Sequence, residues 1–429
     1  MKPKIVFVIN YFYPDVVSTG QIMTELCLYL QNDFDITVIA AQGNTGGALE
    51  KQGRFVLDHL EQIKIIRINL PEVNKEDKIS RIKYISAYFI WATIALLKQK
   101  NVDLIYTISQ PPVLGGVIGT IGKILKKTKH IYNIQDFNPE QAEAVGYSKK
   151  RWIANTARWI DTLSCKLADH VVTVGEDMRE TLKRRFHYRK VTDNSVIHNW
   201  TDEQEIIPLP KDHPKVEAFL KEHDLEGKFI IMYSGNLGLY YDLENLIKMT
   251  GRFAGYRDLA FVFIGEGAVK RQMQDYVEQH GIAQVYFLPF QPKENLRYSL
   301  NAADVHLVVN QKGIKGVSVP SKIYGVMAAG KPVLGVLEQG SEAYRIIGES
   351  KCGRLTEPQS YDMFVKHVKD LYMLNREVLK SMGMEGRVYL EKHLKRDVSM
   401  EKYRVLLSRL ASKATDHRMV EKREYAASE

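Results

Sequence analysis

Cysteine is scarce in this 429-residue chain: Cys27, Cys165 and Cys352 lie far apart, are odd in number and share no metal-ligand spacing. That excludes a disulfide-stapled fold and points to reduced, buried thiols in a cytoplasmic protein. The twelve histidines form no HxH or HxxxH array, so no protein-bound metal centre is expected. Neither G-x-S-x-G nor G-x-x-x-x-G-K-[ST] occurs, which removes the serine-hydrolase elbow and the P-loop. No low-complexity tract is present, which argues against disorder. Met1-Lys2-Pro3-Lys4-Ile5 runs straight into a strand pattern, without the apolar core of a signal peptide. A stretch long enough to cross a bilayer, about 20 apolar residues, is also missing.

The nearest approach to such a stretch is Tyr84–Leu97, where only Ser86 and Thr93 are polar and Arg81, Lys83, Lys98 and Lys100 flank it. Two readings stay open. One is a buried crossover helix; the other is an interfacial helix whose aromatics (Tyr84, Tyr88, Phe89, Trp91) and basic flanks rest on anionic lipid. The formal net charge of +9 calls for an anionic partner. No basic block with interleaved aromatics supports nucleic acid, which leaves a membrane surface or a phosphate-bearing substrate.

What the chain does have is ordinary globular composition, 45% hydrophobic and 26% charged, at a length that calls for two cores. Apolar strands at Lys4–Asn10, Asp35–Ala40, Ile63–Leu70, Leu104–Thr107, His130–Ile134, Val171–Val174 and Ser195–His198 alternate with helical stretches. Such alternation predicts an α/β fold with parallel sheets covered by helices. The pattern lapses over Thr201–Asp224, with Pro208, Pro210 and Pro214, then restarts at Phe229–Tyr233. The expected organisation is therefore a Rossmann-like, doubly wound acceptor domain (1–202), a linker (203–224), a second such domain for the donor (225–395) and a helical tail (396–429).

In sheets of this kind ligands bind beyond the carboxyl ends of strands, where helix amides are free. Gly20, closing Asn10–Gly20, would let backbone approach a phosphate or sugar, or would simply make a turn. Gly235, Asn236 and Gly238 in SGNLG, and Gly265, Gly267 and Lys270 in the next loop, each fall between a strand and a helix. The most specific segment is PSKIYGVMAAGKPV, in which Pro320 and Ser321 open a helix and Lys322 stands in its first turn. A lysine there opposes the helix dipole unless it meets an anion, so a diphosphate clamp is expected. Asp136 and Glu140, after the strand ending at Ile134, are read either as a cap and first-turn acid or as active-site acids facing an interdomain cleft.

These loops, in this order and spacing, resemble family 4 of the retaining glycosyltransferases, which have the GT-B fold. YSGNLG, FIGEGAVK, FLPFQPKENL and PSKIYGVMAAGKPV carry the resemblance, which covers roughly residues 4–395. Within that family the chain looks similar to the branch that builds bacterial surface polysaccharides, including N-acetyl-fucosamine transferases of O-antigen and capsule pathways. The resemblance implies a UDP-sugar donor held by Gly20, the SGNLG and Gly265/Gly267 loops, Lys270, Pro320, Ser321, Lys322, Tyr324 and Gly325, with Asp136 and Glu140 catalytic. It implies a lipid-linked saccharide acceptor, peripheral contact with the cytoplasmic membrane face, and neither cofactor nor metal. The family's E-x7-E glutamates fall on Val317 and Gly325, its usual arginine on Asn236, that arginine's lysine partner near Tyr241, and its first-domain histidine on Gln135. Lys322 would then carry much of the phosphate neutralisation. A UDP-sugar 2-epimerase and a non-catalytic nucleotide-sugar-binding homologue are the rival readings.

Overall fold

The computed structural model describes residues 2–15, 18–42, 53–71, 77–146 and 150–426. The chain divides into two compact units: Met1–Glu140 with Ser148–His198 and Asp397–Glu429, and Gln141–Tyr147 with Asn199–Arg396.

Among the described residues the first unit has eight strands: β1 (Lys4–Val8), β2 (Asp35–Ala41), β3 (Phe55–Leu60), β4 (Ile63–Ile68), β5 (Leu104–Ile108), β6 (Lys129–Ile134), β7 (His170–Thr173) and β8 (Asn194–Val196). They lie in the order β3-β4-β2-β1-β5-β6-β7-β8. All neighbours are parallel except β3, which pairs antiparallel with β4 and was not anticipated from sequence. Its partly exposed edge position explains the miss, since it lacks the continuous apolar run of the inner strands. Strand order reverses between β1 and β5, so the loops after these strands flank a switch point.

The apolar Tyr84–Leu97 segment lies within a helix over Lys78–Lys98 that crosses from β4 to β5. Tyr88, Ala92, Ala95 and Leu96 are buried with Val6, Val8, Ile39 and Ile105, so this face is indeed core. The closing helix, Arg396–Ala426, belongs to the first unit from Asp397 onward rather than standing apart as a tail. Its buried Tyr403 hydroxyl accepts from Asn133 Nδ2 at 2.6 Å, joining it to β6.

The second unit carries β9 (Phe229–Ser234), β10 (Leu259–Ile264), β11 (Val285–Leu288), β12 (Val305–Val309), β13 (Val333–Val336) and β14 (Gly353–Thr356), all parallel, in the order β11-β10-β9-β12-β13-β14. Period-two alternation puts Phe229, Ile231 and Tyr233 into one helix-covered core and Ile230 and Met232 into the other. The stretch read as a linker contains a helix, Pro214–Glu222, whose Val216, Phe219 and Leu220 enter the second of these cores. Its prolines look like a break, yet Pro214 sits at the first helical position, where a missing N–H costs nothing. Here the switch point falls between β9 and β12.

Candidate functional site

Three loops of the second unit gather at that switch point, those following β9, β10 and β12. The first two run side by side through backbone bonds. Gly235 N donates to Ile264 O at 2.9 Å, Leu237 N to Glu266 O at 2.8 Å and Val269 N to Leu237 O at 3.1 Å. Glycine is required where they touch: a Cβ on Gly265, whose φ is +139°, would lie 2.0 Å from Gly235 O. One on Gly267 would lie 2.2 Å from Leu237 O; at Gly238 the nearest atom is only the movable end of the exposed Asn236 side chain, at 2.7 Å. The loop after β12 joins them through Gln311 N, which donates to Tyr240 O at 2.8 Å.

Lys322 begins the short helix Lys322–Ala328 after this third loop. Its Nζ donates to the Tyr233 hydroxyl at 3.0 Å and lies 4.6 Å from the Tyr233 ring centre and 4.1 Å from that of Tyr241. The Tyr233 hydroxyl in turn donates to Asn236 O at 2.8 Å. Gly235, at φ +147°, faces the lysine stem: a Cβ there would lie 3.1 Å from Lys322 Cε. No carboxylate among the described residues pairs with this amine, and desolvation pulls its pKa down to about 7. A cation held between aromatic faces and denied a counter-charge is poised to recover that cost from an anionic ligand.

The other expected donor residues divide. Pro320 is buried at the entry to the Lys322–Ala328 helix, and Gly325 lies one turn in, where a Cβ would rest 3.5 Å from Leu300. Ser321 precedes the first helical residue with a backbone that is already helical, and its side chain makes no capping bond. Tyr324 is fully buried in the core with Ile323, Val326 and Met327, not turned to a ligand. Lys270 is brought to the loops but is occupied, its Nζ lying 2.5 Å from Glu266 Oε1 one turn back. Asn236 is exposed, and Val317, where the family's first glutamate would stand, is buried. Tyr233 was missed as a site residue and Tyr241 was noted only as a replaced lysine. The one available signal was an aromatic at the end of β9 and another five residues beyond SGN.

Gly20, Asp136 and Glu140 belong to the first unit. Gly20 is buried in the first turn of a helix, Ser18–Leu30, where a Cβ would lie 3.1 Å from Tyr11 O; it serves close packing. Asp136 is half-buried past the end of β6, and its amide donates to Ser109 Oγ at 3.2 Å, as does that of Gln135 at 3.0 Å. Glu140 accepts from Arg158 Nε and Arg185 Nε, both at 3.0 Å. Arg185 is also bound to Asp161, which accepts from the Tyr132 hydroxyl at 2.7 Å. Burial alone would push the Glu140 pKa up, but the guanidiniums outweigh it and the net shift is down. A carboxylate gripped in this way holds the loop and is a poor proton donor. Among the described residues no three His, Cys, Asp or Glu side chains come together as a metal site.

Two family models match the chain in tandem: Glycosyltransferase Family 4 over residues 19–205 and Glycosyl transferases group 1 over residues 215–388. The "Probable glycosyltransferase WbjE" of Pseudomonas aeruginosa is 27% identical over 349 residues, covering 80% of this chain and 84% of that protein. WcaI of Escherichia coli, named as a colanic acid biosynthesis glycosyl transferase, is 24% identical over 64% of this chain and 66% of its own. Among solved structures, a sucrose-phosphate synthase from Thermosynechococcus elongatus superposes with a TM-score of 0.76 at 15% identity, covering 96% of this chain and 100% of the other. Anabaena Alr3699/HepE in complex with UDP does so with a TM-score of 0.69 at 12% identity, covering 95% and 100%. Two consecutive transferase models on two Rossmann-like sheets make the chain a GT-B glycosyltransferase of the family 4-like kind.

Proposed function

We propose that the protein moves a sugar from UDP to a lipid-linked saccharide during assembly of a surface polysaccharide, with retention at the anomeric carbon. The observation that carries the reading is Lys322, an amine without a carboxylate partner among the described residues, at the switch point of the second sheet and set against glycine backbone. A nucleoside diphosphate leaving group develops negative charge as the glycosidic bond breaks, and a preorganised cation aimed there lowers the barrier. The UDP bound by HepE and the colanic acid role in the name of WcaI support this donor and this product class. The acceptor hydroxyl would be served by the first unit near Asp136, at the cytoplasmic membrane face. An N-acetylated deoxyhexose is the favoured donor sugar, and Lys322 with the loop amides takes the place of a metal. Activity abolished by EDTA and restored by magnesium would contradict that last point.

The test is a calorimetric panel of UDP, GDP, ADP and dTDP against the full chain, followed by transfer assays with the matching sugar nucleotides on membrane-extracted lipid acceptors. Selective binding of UDP and a lipid-linked product of retained configuration are the expected results. Absence of binding by every nucleoside diphosphate would defeat the proposal.

A further inference from the structure

The first unit presents a second surface that the chemistry above does not use. The connections β4 to β5, β5 to β6 and β6 to β7 all step the same way along the sheet, so right-handed crossovers place their helices on one face. These are Lys78–Lys98, Leu114–Lys126 and Arg151–Leu167, and the middle one packs against both others. It fits because it is glycine-rich on its inner side: a Cβ on Gly116 would lie 2.8 Å from Ser164 Cβ, and one on Gly122 2.6 Å from Leu96 Cδ2. The three helices therefore form a layer with one outward side.

That outward side is apolar where a surface helix is ordinarily polar. On Arg151–Leu167 the exposed residues Trp152, Trp159, Leu163 and Leu167 recur at helical spacing, with Trp152 and Trp159 67% and 66% exposed. Ile79, Ile82 and Ile90 make a similar stripe on the first helix, and Ile124 and Leu125 project from the middle one. The charge is one-sided. The three helices hold nine Lys and Arg against a single acid, Asp161, and that acid is buried against Arg185. Lys123 and Arg158 are paired with Asp169 and Glu140, and exposed Asp77 caps the first helix, yet the balance of the layer stays basic. An exposed apolar layer with tryptophans and an excess of basic residues matches an anionic lipid interface in both hydrophobicity and sign. Among the described residues no helix is long and apolar enough to cross a membrane, so the contact would be in the plane of the interface.

We propose that this three-helix face docks the protein on an anionic bilayer, with Trp152 and Trp159 seated at the boundary between headgroups and acyl chains. Its purpose, delivery to a lipid-linked acceptor, rests on the function proposed above; its evidence does not. The layer is wider than the Tyr84–Leu97 segment, whose aromatics are largely turned inward, and its strongest anchors, Trp152 and Trp159, stand on a different helix.

Flotation of the full chain with phosphatidylglycerol-containing vesicles tests it, against vesicles of phosphatidylcholine alone. Binding should require the anionic lipid and weaken with salt. Trp152→Ser with Trp159→Ser should lower it by roughly tenfold or more, since two large apolar side chains are removed. Lys83→Glu with Lys166→Glu should abolish the preference for anionic lipid. Both pairs are exposed, so circular dichroism and UDP titration should match the parent. Failure of the parent to float, binding unchanged in both double variants, or a dimer that buries these tryptophans in place of vesicle binding would each overturn the proposal. Loss of UDP binding by the parent with flotation intact would instead defeat the transferase reading and leave this one standing.

Discussion

Arg185 in the first unit is a buried cation and Lys322 in the second a half-buried one, yet their surroundings are opposite. Burial works against the charge on each. At Arg185, Asp161 and Glu140 more than offset it and the pKa moves up; at Lys322 nothing offsets it and the pKa falls to about 7. A satisfied cation is part of the architecture, because removing it takes the shared counter-charge from two carboxylates. An unsatisfied one costs the free protein something and is retained where a ligand supplies the missing charge. The contrast separates scaffold from site within one chain.

Breaking the scaffold side should give the largest effect. Arg185→Ala leaves Glu140 and Asp161 without their shared partner and should cost about 3–5 kcal/mol of stability, read by urea denaturation. If the cost were negligible, the charge network would not be structural.

Lys322→Ala comes next and should act on binding instead of folding. Loss of charge-assisted bonds worth about 1.5–3 kcal/mol predicts a ten- to hundredfold weaker UDP affinity, with a melting temperature unchanged or slightly raised. Gly265→Ala should be felt in both measurements. Its new Cβ meets Gly235 O at 2.0 Å at a φ of +139°, so about 1–3 kcal/mol of stability should go, with UDP affinity reduced as the two loops separate. The smallest effect belongs to Lys270→Ala. Its charge is already answered by Glu266, and UDP affinity should change by no more than about twofold.

Much of the site was legible because glycine and lysine in strand–helix loops have few structural uses. Gly235, Gly265, Gly267 and Lys322 converge as their positions after β9, β10 and β12 suggested. What could not be read were partnerships between distant residues. Glu140 looks like an available acid until Arg185, 45 positions away, is seen to hold it. Tyr233 and Tyr241 gain their place only because Lys322 reaches back across the sheet. Lys270 is a different case, since its partner Glu266 stands only four positions earlier, in the loop just before the helix Lys270–Gln279. In the fold, β3 and the Pro214–Glu222 helix were hidden by an exposed edge and by prolines, both of which dilute the apolar periodicity.

The most direct test of Lys322 as the diphosphate clamp is the proton count of UDP binding, from calorimetry at pH 8 in buffers of different ionisation enthalpy. In the free protein the amine loses its proton near pH 7, well below the ordinary value of 10.5. A bound diphosphate favours the charged form and raises that pKa, so binding above pH 7 must take up a proton and affinity must fall as pH rises. The predicted result is uptake approaching one proton in the parent and none in Lys322→Ala. Equal uptake in the two proteins, or none in either, would contradict the assignment.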